Sequence, residues 1–253
     1  MSLFLAKLTL TPLIMVLTSA AGRRWGPGVS GWLTGLPLLA GPVSVFVCIE
    51  QGPAFAARAA GGTLLGMWSS CVFCLAYYAL ARRGWAVASL AAVTAFALAT
   101  ALLNQWSLPP WAGFAGVLVG AGFCLRLIPA PTSRGEPVPS PAWDMPARLA
   151  IAAAFVVLQT GIAGWLGPQL SGLVTPFPIV VILLTAFAHH QLGEHGATRV
   201  LRGFLIGMVA FASFFLVVAL GIEPLGAVAA YLLGLVACLA INGMTLWALR
   251  RRL

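Results

Sequence analysis

Two apolar stretches carry prolines and hydroxyl side chains at matched spacing, and these are the residues best placed to do chemistry. The first reads Gly26-Pro27-x-x-Ser30-Gly31-x-x-Thr34-x-x-Pro37, and the second reads Gly167-Pro168-x-x-Ser171-Gly172-x-x-Thr175-x-x-Pro178. Ser44 and Phe46 follow in the first stretch, Thr185 and Phe187 in the second. Proline lacks a backbone donor and frees a carbonyl one turn earlier. Inside a bilayer such a carbonyl survives only when it is buried in protein or faces water. Freed carbonyls and hydroxyls can together replace the hydration shell of a small solute. The candidate substrate-binding residues are therefore Ser30, Thr34, Pro37, Ser44, Phe46, Ser171, Thr175, Pro178, Thr185 and Phe187, with the two phenylalanines as apolar gates. The competing reading is packing, because Ser, Thr and Gly also let helices approach closely in lipid.

Ionisable residues are few. Arg58 and Arg199 are candidates for anion attraction at the mouths of a passage; interfacial snorkelling or an ion pair with Glu50 or Glu194 competes with that role. Glu50 is the one acid placed within or at the edge of an apolar span, so it is the candidate for proton coupling. Its equivalent in the second stretch is Gln191, and a cap paired with Arg58 is the preferred reading. His189, His190 and His195 cluster with Glu194, yet an interfacial polar turn is preferred over a metal site. The five cysteines, Cys48, Cys71, Cys74, Cys124 and Cys238, read as small packing residues. No metal, cofactor or catalytic constellation is expected.

The elements that position these residues follow from composition. Of 253 residues, 61% are hydrophobic and 8% are charged, with a mean hydropathy of +1.01. A soluble domain carries about 25% charged residues. The apolar runs are continuous rather than alternating, which points to an all-α polytopic membrane protein and away from a β-barrel. The net charge of +9 reads as orienting loop arginines rather than a nucleic-acid surface. Nine helices are predicted, at residues 3–21, 29–50, 54–81, 84–104, 109–128, 147–166, 171–190, 198–220 and 224–249. Pro129 to Pro146 reads as a flexible loop.

The two stretches are part of a longer duplication at a constant offset of 141 residues. Seven of 22 positions between residues 26 and 47 are identical to their equivalents, against about two by chance in so biased a composition. The same offset pairs Gly52 with Gly193, Gly62 with Gly203, Gly66 with Gly207, Arg58 with Arg199 and Lys7-Leu8 with Arg148-Leu149. The first helix belongs to the repeat, so it is read as retained rather than as a cleaved signal. The predicted organisation is a first four-helix repeat at 1–105, a linking helix at 106–128, a Pro-rich cytoplasmic loop at 129–146 and a second repeat at 147–253. The odd linking helix places the copies in opposite orientations. With the C-terminus in the cytoplasm and the N-terminus outside, 12 of the 14 basic residues fall on the cytoplasmic side, Lys7 and Arg58 being the exceptions. Gly113, Gly116, Gly120 and Gly122 in the linking helix favour close helix contact.

The segment from Ser171 through Pro176, Pro178 and Ile179, with the apolar run that follows to Gly193, resembles the GlpM-like small four-helix bacterial membrane proteins. That resemblance implies a four-helix membrane unit and supplies no catalytic residues. The four-plus-one-plus-four plan is similar in architecture to fused dual-topology proteins such as eukaryotic fluoride exporters, and each half is similar in size to small multidrug transporters. The fluoride-channel Asn and Gly motif is not evident, and helix 1 lacks the membrane glutamate of the small multidrug transporters. The expectation is an integral protein of the bacterial inner membrane, partnered by the lipid bilayer. It is expected to carry a small solute through a polar site between helices 2 and 7. The alternatives are a passive small-ion channel and a non-transporting accessory protein of envelope polysaccharide or lipid export.

Overall fold

The computed structural model describes Pro37, residues 40–130 and residues 144–250. The first predicted helix, with Ser30 and Thr34, lies outside the described residues, as does most of the Pro-rich loop. Every regular element among the described residues is helical: α1 (Ala40–Gln51), α2 (Pro53–Leu80), a 3-10 turn (Ala81–Arg83), α3 (Trp85–Leu103), α4 (Pro110–Leu127), α5 (Asp144–Val174), α6 (Ile179–Leu225) and α7 (Ala227–Arg250). The helices are apolar around their whole circumference, as lipid demands of a backbone that must satisfy itself internally. Five stretches are long and apolar enough to cross a membrane: Pro53–Arg83, Trp85–Leu103, Pro110–Leu127, Ile179–Leu225 and Ala227–Thr245. These five are the candidate spans among the described residues, against the nine expected from the sequence. α1 is a 12-residue helix, shorter than a span, and the two predicted helices at 171–190 and 198–220 are reorganised.

Glycine and proline cause that reorganisation. α5 bends at Gly167, with φ 74°, just before Pro168, so a short segment continues to Val174. The chain then turns through Thr175 to Pro178 and restarts as α6. α6 is itself broken at Gly193, with φ 65°, a conformation costly for any side chain with a Cβ. The equivalent glycine of the first copy, Gly52, has φ 90° and separates α1 from α2. Both copies thus read proline, short helix, glycine, long helix, glycine, helix. The N–H of Gly41 donates to Pro37 O at 2.8 Å, and the N–H of Ile182, its equivalent, donates to Pro178 O at 2.8 Å. The second glycine break falls at Gly84 and Gly226, an offset of 142, so one residue has been gained on the way.

α2 and α6 form the buried centre, while α3, α4 and α7 expose large apolar side chains such as Leu90, Val119 and Val228. α4 runs parallel to α2. Trp68 Nε1 donates to Gly113 O at 3.0 Å, a Cβ on Gly116 would lie 1.9 Å from the Trp68 ring, and one on Gly120 would lie 3.3 Å from Cys71 Sγ. Gly122, grouped with these three from the sequence, faces open space instead. α2 and the second part of α6 run antiparallel. Arg82, past the end of α2, lies 3.8 Å from Glu194, while Ala57 and Arg58, near its start, share a cavity with Ala219 and Glu223. Arg82, Arg83, Arg126, Arg199 and Arg202 consequently gather towards one end of the bundle; Arg58, Glu50 and Glu223 lie towards the other.

Candidate functional site

The proline-broken segment of the second copy lies across α2, and glycines make the approach possible. A Cβ on Gly62 would stand 2.5 Å from Gln169 O, one on Gly66 2.3 Å from Leu173 O, and one on Gly172 2.0 Å from Ala59 O. Gly62 and Gly66 are spaced as a small-xxx-small pair, which lets two backbones meet. Ser70 Oγ, one turn further along α2, donates to Pro176 O at 3.0 Å. Thr175 Oγ1 donates to Ser171 O at 2.8 Å, one turn back on its own chain. Ser171, Pro176 and Pro178 are buried here. The Pro176 carbonyl, at the break between α5 and α6, is held by a side chain of α2.

A cavity of about 310 Å³ opens where this seam reaches the Arg58 end. Arg58, Gly61 and Gly62 of α2 line it with Ser107, Pro168, Gln169 and Glu223. Gln169 Nε2 donates to Asn104 O at 2.9 Å and to Trp106 O at 2.8 Å, which fixes the loop between α3 and α4 as one wall. Arg58 and Glu223 put opposite charges on the rim of a single space. Arg58 thus lines this cavity. Arg199 is half-buried on α6, and Glu50 is exposed at the end of α1.

The remaining candidates separate into two groups. Ser44 and Tyr231 hydroxyls lie 2.8 Å apart, and Tyr231 Oη also donates to Ser44 O at 2.8 Å, tying α1 to α7. Phe46 is buried on α1, and Phe187 is half-buried on α6. Thr185 is fully buried on α6, and its hydroxyl has no hydrogen-bond partner. One turn on, His189 turns inward, its Nδ1 3.3 Å from the hydroxyl of the buried Tyr77, while His190 and His195 are exposed. The histidine cluster expected from the sequence is thereby split. The described part of predicted helix 2, α1, packs on α2 and α5, whereas the first part of α6 packs on α2 and α3.

Sequence reasoning missed Ser70, Tyr77, Gln169 and Tyr231. Each acts through a partner at least 63 positions away, so no local pattern marks it. Gly62 and Gly66 did leave a signal, as conserved spacing between the two copies. Arg202 was read as an orienting charge, and it also donates to Leu125 O at 2.8 Å and to Ile128 O, closing the carbonyl end of α4. No family model matches the chain, and neither a curated protein nor a solved structure matches it.

Proposed function

We propose that the protein is an inverted-repeat membrane transporter that moves a small solute along α2. The path starts at the Arg58 cavity and follows the broken segment from Pro168 to Pro178. The observation that carries this reading is the proline-broken segment lying on the glycine seam of α2, with a charged cavity at its head. Interrupted spans of this kind are where transporters place substrate sites.

The antiparallel course of α2 and its equivalent, the second part of α6, supports inversion of the copies. So does charge. Arg82 and Glu223 occupy equivalent positions in the two copies, and they lie towards opposite ends of the bundle. A copy turned over in the membrane needs its basic residue replaced at that point if basic groups are to stay on one side. The arginine-rich end is cytoplasmic in this reading, in a bacterial inner membrane, and Arg58 faces outward. The nine-span plan belongs to the same proposal.

Reconstitution tests it. Vesicles holding the protein are challenged with urea, glycerol, glycine, lactate, sodium and fluoride, and uptake is followed by light scattering or ion electrodes. The expected result is saturable uptake of one of these, reduced at least tenfold by Arg58→Gln or Ser70→Ala without loss of folded protein. Non-saturating conduction selects a passive channel. No uptake of any of the six above empty vesicles overturns the reading and leaves the accessory role.

A further inference from the structure

The two copies treat one buried position differently. In the first, Ser44 of α1 is satisfied by the phenol of Tyr231. Adding 141 to Ser44 gives Thr185; removing the 142-residue offset of the last helix from Tyr231 gives Ser89. A short serine thus stands where the other copy has a tyrosine. Thr185 Oγ1 and Ser89 Oγ are two of the three buried side-chain atoms without a hydrogen-bond partner among the described residues. A buried hydroxyl without a partner is costly, so Thr185 Oγ1 and Ser89 Oγ ask for a further group. Beside them is a pair of groups that can exchange a proton: Tyr77 Oη and His189 Nδ1, 3.3 Å apart, with ring centroids 5.9 Å apart. The Ser89 hydroxyl also lies close enough to the Tyr77 hydroxyl to compete for it with His189.

We infer that His189, Tyr77, Ser89 and Thr185 form a buried proton-binding site, completed by a water molecule that does for Thr185 and Ser89 what the Tyr231 hydroxyl does for Ser44. It deepens the transport reading and rests on it for its coupling role: His189, rather than Glu50, is the titratable group inside the bundle. His189 and Thr185 are four residues apart, one turn of the first part of α6, and Glu194 opens the second part just past the Gly193 break. Arg82, from the turn after α2, pairs with Glu194 at the top of this polar ladder. On α4 the charged neighbour is the exposed Arg126, and on α7 Tyr231 is already engaged by Ser44. Among the described residues, His189 is the one histidine turned into the ladder, and the buried Tyr77 phenol is its partner there. Proton uptake needs no redox partner. An imidazole nitrogen takes a proton from the Glu194 side and returns it to the water held by the hydroxyls.

The test separates the site from transport. Protein labelled with nitrogen-15 in histidine is titrated by solid-state NMR in lipid vesicles from pH 4 to pH 9, with His189 assigned by His189→Gln. His189 is expected to titrate, and Tyr77→Phe, Thr185→Val and Ser89→Ala are each expected to shift its midpoint by at least half a unit while His190 and His195 stay fixed. Thr185→Val and Ser89→Ala keep shape, so folding is retained where Tyr77→Phe loosens packing. A His189 that holds one protonation state throughout, or a midpoint indifferent to Thr185→Val and Ser89→Ala, overturns the site. In flux assays, uptake that depends on pH in the native protein and not in His189→Gln supports coupling; pH dependence kept in His189→Gln overturns it. A titrating His189 in a protein that moves no solute supports the site and removes the transport reading alone.

Discussion

At the residue scale, the bundle depends on positions where a single atom is too many. The Cβ of an alanine at Gly66 would sit 2.3 Å from a backbone carbonyl that has no freedom to retreat. Gly66→Ala is therefore expected to destabilise the protein by about 1–3 kcal/mol, seen as a lowered melting temperature in detergent. Gly122→Ala, with open space around it, is expected to change stability by less than about 0.5 kcal/mol in the same measurement. Trp68→Phe keeps an aromatic side chain, removes the bond to Gly113 O and withdraws the indole from Gly116. Its cost is expected at about 0.5–1.5 kcal/mol. The prolines and glycines that set these contacts are recognisable from residue type alone, since no other residues free a carbonyl or admit a backbone. Tyr231 and Tyr77 are not, because a tyrosine in an apolar helix has the same sequence signature whether its hydroxyl meets a serine, a histidine or lipid headgroups.

At the scale of elements, helix ends were legible and helix continuity was not. α2, α3 and α4 fall within a residue or two of the spans read from hydropathy, because Pro53, Gly84 and Pro110 sit at their starts. The span expected at 171–190 instead breaks between Thr175 and Pro178, and the helix restarting at Ile179 runs to the break at Gly193. Hydropathy is blind to this, since a kinked apolar helix and two apolar helices average the same. Arg202 binds one element to another through the last carbonyls of α4. Arg202→Met is expected to leave those carbonyls unmet, to cost about 1–3 kcal/mol and to raise hydrogen exchange at the end of α4, with Arg202→Lys recovering part of it.

At the scale of the molecule, Arg82, Arg83, Arg126, Arg199 and Arg202 gather towards one end of the bundle. The proposed orientation puts Ser107 outside and Ser133 inside. Single cysteines placed there are expected to react with an impermeant maleimide on opposite faces of intact cells, while the five native cysteines, all buried, stay silent. Same-side labelling would remove α4 as a crossing and with it the inverted plan.

The sequence alone determined that the chain is helical and apolar enough for lipid, and which prolines and glycines recur at the 141-residue offset. Those properties are carried by residue type and spacing, and both survive without coordinates. The tertiary structure decided which backbone rests on the Gly62 and Gly66 seam, that α2 and its equivalent run in opposite directions, and that His189 faces inward while its neighbours do not. Such matters depend on the rotation of each helix about its axis. In a helix apolar on every side no amphipathic stripe sets that rotation, so it emerges only when the neighbouring helices pack.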